Sequence, residues 1–118
     1  MFFWNLFIFV IFYFLINLEI ALPDYDVFIS YNWDIKDKVK DLHNKLLVEN
    51  SALVIWRDEY EIKNNDKDLS EQLASAIKRS KIIICFITEK YINSKNCKCE
   101  FNYSIQLGKR IIVLLLIF

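Results

Sequence analysis

Lys81-Ile82-Ile83-Ile84-Cys85-Phe86-Ile87-Thr88 carries six consecutive apolar residues, 82 to 87, between a charge and a hydroxyl. Successive side chains of a strand point to opposite faces, so a strand with one wet face alternates apolar and polar residues. A run without alternation implies cover on both faces. The stretch therefore predicts the centre of a sheet with helices on either side. Around it, short apolar runs alternate with segments of helical period, the pattern of βαβ units and a mainly parallel sheet.

Toward the N-terminus, residues 27–31 predict a first strand. Ile35, Val39, Leu42 and Leu46 then recur at spacings of four, three and four, one face of a helix. Residues 53–56 predict a second strand, and residues 57–68 are too charged and too poorly periodic to be buried, so they predict an exposed loop. Asp68 followed by Glu71 resembles a capping box, opening a helix with Leu69, Leu73, Ala76 and Ile77 on one face. Toward the C-terminus, Ser94 predicts the cap of a helix presenting Cys97, Phe101 and Ile105 on one face. Gly108, the single glycine, falls where a left-handed residue ends that helix. Residues 111–118 predict a fourth strand of buried type. Four strands with three intervening helices amount to an α/β, doubly wound parallel sheet that is incomplete.

The 118 residues suffice for one core and one domain. Fifteen basic and fifteen acidic residues cancel, which leaves no footprint for a nucleic-acid backbone. Residues 2–22 are apolar except for Asn5, Asn17 and Glu19, and a helix of that length spans about 30 Å, the thickness of a bilayer core. No basic n-region or clear cleavage site accompanies it, which predicts an uncleaved anchor, with a low-complexity leader as the alternative. Lys36, Lys38 and Lys40 follow this segment and no Lys or Arg precedes it, which puts the C-terminal side in the cytosol. The expectation is thus a single-pass membrane protein, with residues 1–22 as transmembrane or signal-anchor helix and residues 24–118 as a cytosolic domain. Three cysteines suit reduced thiols. Cys97-Lys98-Cys99 lacks further ligands, since His43 is the sole histidine and lies on another helix, so no metal site is expected.

Tyr25-Asp26-Val27-Phe28-Ile29-Ser30-Tyr31 resembles the first box of the Toll/interleukin-1 receptor (TIR) domain family. It is followed in order by Trp56-Arg57-Asp58, Ala76-Ile77 before Ser80, Tyr91 with Ser94-Lys95-Asn96-Cys97, Glu100, and Lys109-Arg110-Ile111-Ile112. Ser30-Tyr31-Asn32-Trp33 and the spacing of Asn96, Cys97, Glu100 and Tyr103 resemble TIR domains of invertebrate and microbial type. The resemblance implies a flavodoxin-like strand order, with the first strand between the second and third. Two features depart from the family. Lys67 lies nearest the place where members have glycine after the second strand, and a fifth strand and last helix are missing. The final strand is then expected to present an apolar edge.

Open parallel sheets bind ligands beyond the carboxyl ends of their strands, which gathers Tyr31, Asn32, Trp56, Asp58 and the region leading to Glu100. The resemblance implies signal transduction of innate-immune type by assembly with other TIR domains, through a loop carrying Glu59, Glu61, Lys63, Asp66 and Lys67. It implies as the alternative a clustering-activated NAD+ hydrolase in which Glu100 is the catalytic carboxylate and NAD+ is substrate, with no bound cofactor. Departing nicotinamide leaves a cation-like ribosyl centre, which a fixed carboxylate stabilises. Trp56 could stack on a ring, while Tyr31 and Asn32 could hydrogen-bond ribose or phosphate. Plainer roles stand beside these: Glu100 as a first-turn carboxylate favoured by the helix dipole, Trp56 as strand-end core, and Asp58 as a loop opener.

Overall fold

The computed structural model describes residues 8–11, 24–58 and 67–116. β1 (Tyr25–Ser30) leads through a 3-10 turn (Trp33–Ile35) into α1 (Lys36–Glu49). Then come β2 (Ile55–Arg57), α2 (Lys67–Lys78), β3 (Ser80–Ile87), the short α3 (Glu89–Asn93), α4 (Lys95–Gln106) and β4 (Arg110–Leu115). The strands form one sheet in the order β2-β1-β3-β4, every pair parallel. This is the α/β, flavodoxin-like arrangement, with the first strand between the second and third.

β1 and β3 are the inner pair, in register from Tyr25 opposite Ser80 to Ser30 opposite Cys85. Their side chains divide strictly by parity. Val27, Ile29, Ile84 and Phe86 meet Ile35 and Val39 on the α1 side. Phe28, Ile83 and Cys85 meet Leu73, Ala76 and Ile77 of α2, Tyr91 of α3 and Cys97 of α4 on the other. Both faces of β3 are closed, which is why its apolar run needs no alternation. Each fully buried aliphatic side chain there contributes about 2 kcal/mol relative to exposure.

The segment ends are tied by polar bonds that the helices and strands cannot supply themselves. Asp26 accepts the Val54 N–H at 2.8 Å and lies 3.3 Å from the Lys81 ammonium, so its carboxyl is held below the ordinary carboxylate range. Lys109 donates to the carbonyls of Lys78 (2.7 Å) and Ser80 (2.8 Å), across the end of α2. α4 closes on Gly108 at φ 65°, with the Gly108 N–H on Ile105 O and the Lys109 N–H on Ser104 O, a Schellman ending.

Several expectations need correcting. The expected membrane localisation is overturned: among the described residues no helix is long and apolar enough to cross a membrane. Of residues 2–22 only 8–11 are described, as one exposed helical turn, and the others lie outside the described residues. β2 starts at Ile55 rather than at residue 53. α2 begins at Lys67, so Asp68 sits inside its first turn instead of capping it. α3 was not anticipated, because five residues are too few to show a helical period. Ile105 is 54% exposed, since eight residues at 100° each overshoot Cys97 by about 80°. Ser104, seven residues on from Cys97, takes the buried place. β4 is an edge strand, not a buried one: Ile112, Val113 and Leu115 are 43, 52 and 66% exposed.

Ile83→Ala should lower the unfolding free energy by about 3 kcal/mol, since it opens a cavity where both faces are closed. Val48→Ala, at an 84% exposed position, should change it by less than about 0.5 kcal/mol. Denaturant titration of the two variants checks the contrast.

Candidate functional site

A cavity of about 430 Å³ opens beyond the ends of β1 and β2, of a size ordinary for small-molecule sites. Tyr31, Asn32, Trp56, Asp58 and Glu100 all line it, so the five residues singled out from sequence share one space. Trp33, Asp34 and Lys90 complete its polar lining together with Ser94 and Asn96. Of the expected interaction loop, Glu59, Glu61, Lys63 and Asp66 lie outside the described residues, and Lys67 opens α2.

Each lining residue arrives by a local device. Asn32 accepts the Asp34 N–H on Oδ1 at 3.1 Å and so caps the 3-10 turn that carries the chain from β1 into α1. Tyr31 is buried, and its hydroxyl donates to the Asp58 carbonyl, tying the loop after β1 to the residue after β2. Trp56 stacks flat on Phe28, centroids 4.8 Å apart and planes within 6°, so it is at once core and cavity wall. Ser94 caps α4 by accepting the Cys97 N–H at 3.3 Å.

Glu100 lies on the second turn of α4, too far along for the dipole of the helix start. Its carboxylate turns inward, where Ser30 donates to Oε2 at 2.5 Å. Ser30 Oγ is also 2.7 Å from the Tyr91 hydroxyl. A serine has one proton to give; with that proton on Glu100, Tyr91 is the donor to Ser30. Burial pushes the Glu100 carboxyl up to about 7, helped by the like charge of Asp58, while the Ser30 bond acts in the opposite direction. Burial also raises the thiols of Cys85 and Cys97, the latter to about 11, and the phenol of Tyr91. Those three groups are neutral near pH 7, where Glu100 is changing charge.

Ser30, Tyr91, Asp34 and Lys90 were missed as site residues. Ser30 was legible in principle: it shares parity with Phe28 and is the one polar residue that follows the apolar run Val27 to Ile29 within its strand. The ion pair between Lys90 and Asp34, 2.9 Å long and 56 residues apart in sequence, had no local signal.

A doubly wound parallel sheet with a half-buried carboxylate at the mouth of its strand ends defines a class of α/β modules with a ligand-sized cavity at the switch of strand order. The TIR domain profile matches residues 27–117, and the chain belongs to this family of signalling modules. Solved structures resemble it, three of them as follows. The TIR domain of the Toll-related receptor TRR-2 from Hydra magnipapillata has a TM-score of 0.60 and 20% identity, over 75% of this chain and 68% of that one. The TIR domains of the activated Roq1 resistosome, which directly recognises the pathogen effector XopQ, give 0.62 and 21% over 78% and 57%. A metazoan TIR-STING receptor from C. gigas gives 0.61 and 21% over 80% and 31%. The chain thus spans between about a third and two thirds of these proteins. No curated protein sequence matches it.

Because the folded value of Glu100 stands near 7 against an ordinary 4.5, its contribution to stability is present below about pH 4.5 and lost as pH rises through 7. Glu100→Gln keeps an acceptor for Ser30 and carries no charge. It should remove on the order of 2 kcal/mol of pH dependence between pH 5 and 8. Unfolding curves across that range check this; parallel pH profiles in variant and parent would contradict the assignment.

Proposed function

We propose that the chain is a signal-transduction module of innate-immune type that acts by assembling with other TIR domains. The observation that carries this reading is β4. Among the described residues it pairs with β3 on one side only, and it exposes Ile112, Val113 and Leu115, within a chain that belongs to a family of signalling domains. Exposed flat apolar edges drive association unless covered. A loop carrying both charge signs, with Glu59, Glu61, Lys63, Asp66 and Lys67, supports a second, heterologous contact. A head-to-tail pairing of these two different surfaces propagates into an open assembly rather than closing as a dimer.

Sedimentation velocity tests both surfaces. Val113→Lys combined with Leu115→Lys should shift the distribution toward monomer, and so should charge reversal at Glu59 and Glu61. If neither pair alters it, assembly through these surfaces is refuted.

The cavity favours one additional reading, cleavage of the nicotinamide–ribose bond of NAD+ with Glu100 as catalytic carboxylate. The supporting observation is its charge map. Asp34, Asp58 and Glu100 face the space with a single described cation, Lys90, so a positively charged pyridinium nucleoside suits the interior and a phosphate suits the Lys90 side. In this reading Trp56 offers an aromatic wall for the base. Asp58 and the carboxylate of Glu100 stabilise positive charge as it develops on ribose. Ionised Glu100 is the competent form, so turnover should rise with pH through about 7. Clustered protein incubated with NAD+ should release nicotinamide above a Glu100→Ala control; equal release from both would eliminate the reading.

A further inference from the structure

A serine buried at the end of an inner strand is an unusual use of core space, because its hydroxyl must find partners out of reach of water. Ser30 is 1% exposed and Tyr91 2% exposed, and alanine and phenylalanine would fill their volumes without any polar obligation. The two hydroxyls are bonded to one another, and the serine is bonded onward to Glu100. The three side chains form a line that begins in the core beneath α3 and ends at the cavity.

Each member is held by different backbone. Ser30 is fixed by the β1–β3 ladder, opposite Cys85. Tyr91 is fixed by the cap of α3, where Thr88 accepts the Tyr91 N–H at 3.1 Å. Glu100 comes from α4, whose Ser104 folds back onto the Glu100 carbonyl at 2.8 Å. Three elements therefore meet in one hydrogen-bonded chain that ends on a Glu100 carboxylate oxygen, with Ser30 in the middle on the strand ladder.

We propose that Ser30, backed by Tyr91, is the positioning residue of the site: it fixes the rotamer of Glu100, aims its carboxylate at the cavity and favours its charged form. The inference rests on the reading of Glu100 as the working carboxylate, but the geometry that carries it is independent of any substrate. Other groups face Glu100 as well. Asp58 from the loop after β2 opposes ionisation, and Cys97 on the same helix and Cys85 on β3 are neutral thiols. Asp34 from the 3-10 turn and Lys90 from α3 share the cavity wall and are engaged with each other. Against that surrounding, the Ser30 hydroxyl donates to the carboxylate and favours its charged form.

The test is a side-chain carboxyl NMR titration of the full chain, with Glu100 assigned by its loss in Glu100→Gln. Ser30→Ala should raise the proton affinity of Glu100 about tenfold, the size expected for one charge-assisted hydrogen bond. Ser30→Thr, which keeps the hydroxyl, should titrate as the parent does. Tyr91→Phe should raise the affinity less, since Ser30 still donates but is no longer polarised from behind. Should Ser30→Ala fail to fold, the Tyr91→Phe and Ser30→Thr titrations carry the comparison. An unchanged midpoint in Ser30→Ala, or in Tyr91→Phe where that variant carries it, overturns the proposal. Nicotinamide release is measured in parallel: if no variant or parent releases any while the titration moves, the NAD+ reading falls and the positioning assignment stands. If release is present, its rising limb should move to higher pH with the titration.

Discussion

The structure depends on a parallel β1–β3 pair that must be covered on both faces. Parallel pairing needs a crossover for every strand, and the crossovers here put α1 on one side and α2, α3 and α4 on the other. Once both faces are dry, the chain has little choice about where polar side chains go. They collect at the carboxyl ends, where each strand hands over to a loop, and there the cavity forms. The same constraint explains the tight polar closure of the opposite ends, where Asp26 and Lys109 satisfy backbone groups that the sheet leaves over.

At the cavity, low dielectric sorts the ionisable groups by what they can reach. The thiols and the phenol are deepest and keep their protons. Glu100 has a donor on one side and the open cavity on the other, and so its balance between burial and hydrogen bonding falls near neutrality. The Asp34–Lys90 pair at the rim, 49 and 67% exposed, contributes at most about 1 kcal/mol and is held weakly enough to exchange partners. A rigid interior carboxylate and a loosely held rim cation make the two ends of the space chemically different.

How much of this was legible in the sequence depended on the range of the interaction. The uninterrupted run at Ile82 to Ile87 and the spacing of Ile35, Val39 and Leu42 are local consequences of two-sided and one-sided burial, and they led to the correct strands and helices. Gly108 was legible because a left-handed helix ending has one cheap residue. The gathering of Tyr31, Asn32, Trp56, Asp58 and Glu100 followed from parallel topology together with the family resemblance. The exposure of β4 was half legible: an apolar run cannot distinguish a covered strand from an edge, because burial is decided by a neighbour in space. The direction of Glu100 was half legible, since Cys97, Glu100 and Ser104 follow helical spacing onto the buried face, but the bond that holds its carboxylate was not. Its partner Ser30 is 70 residues away, and no spacing on α4 encodes that contact. The expected membrane localisation has no counterpart among the described residues, where no helix is long and apolar enough to cross a bilayer, and most of the apolar N-terminal segment lies outside them.

The solitary glycine at position 108 also bears on the denatured ensemble. Glycine samples more of backbone space than any other residue, so a chain with one glycine in 118 residues has few loose joints to freeze when it folds. Among the described residues no other position adopts a positive φ, and the loops around the cavity turn on amide and hydroxyl caps at Asn32, Thr88 and Ser94 instead. Order is therefore cheap to attain along this backbone. A small four-stranded sheet can hold a defined shape partly because its disordered alternative is poor in glycine-rich, freely turning segments.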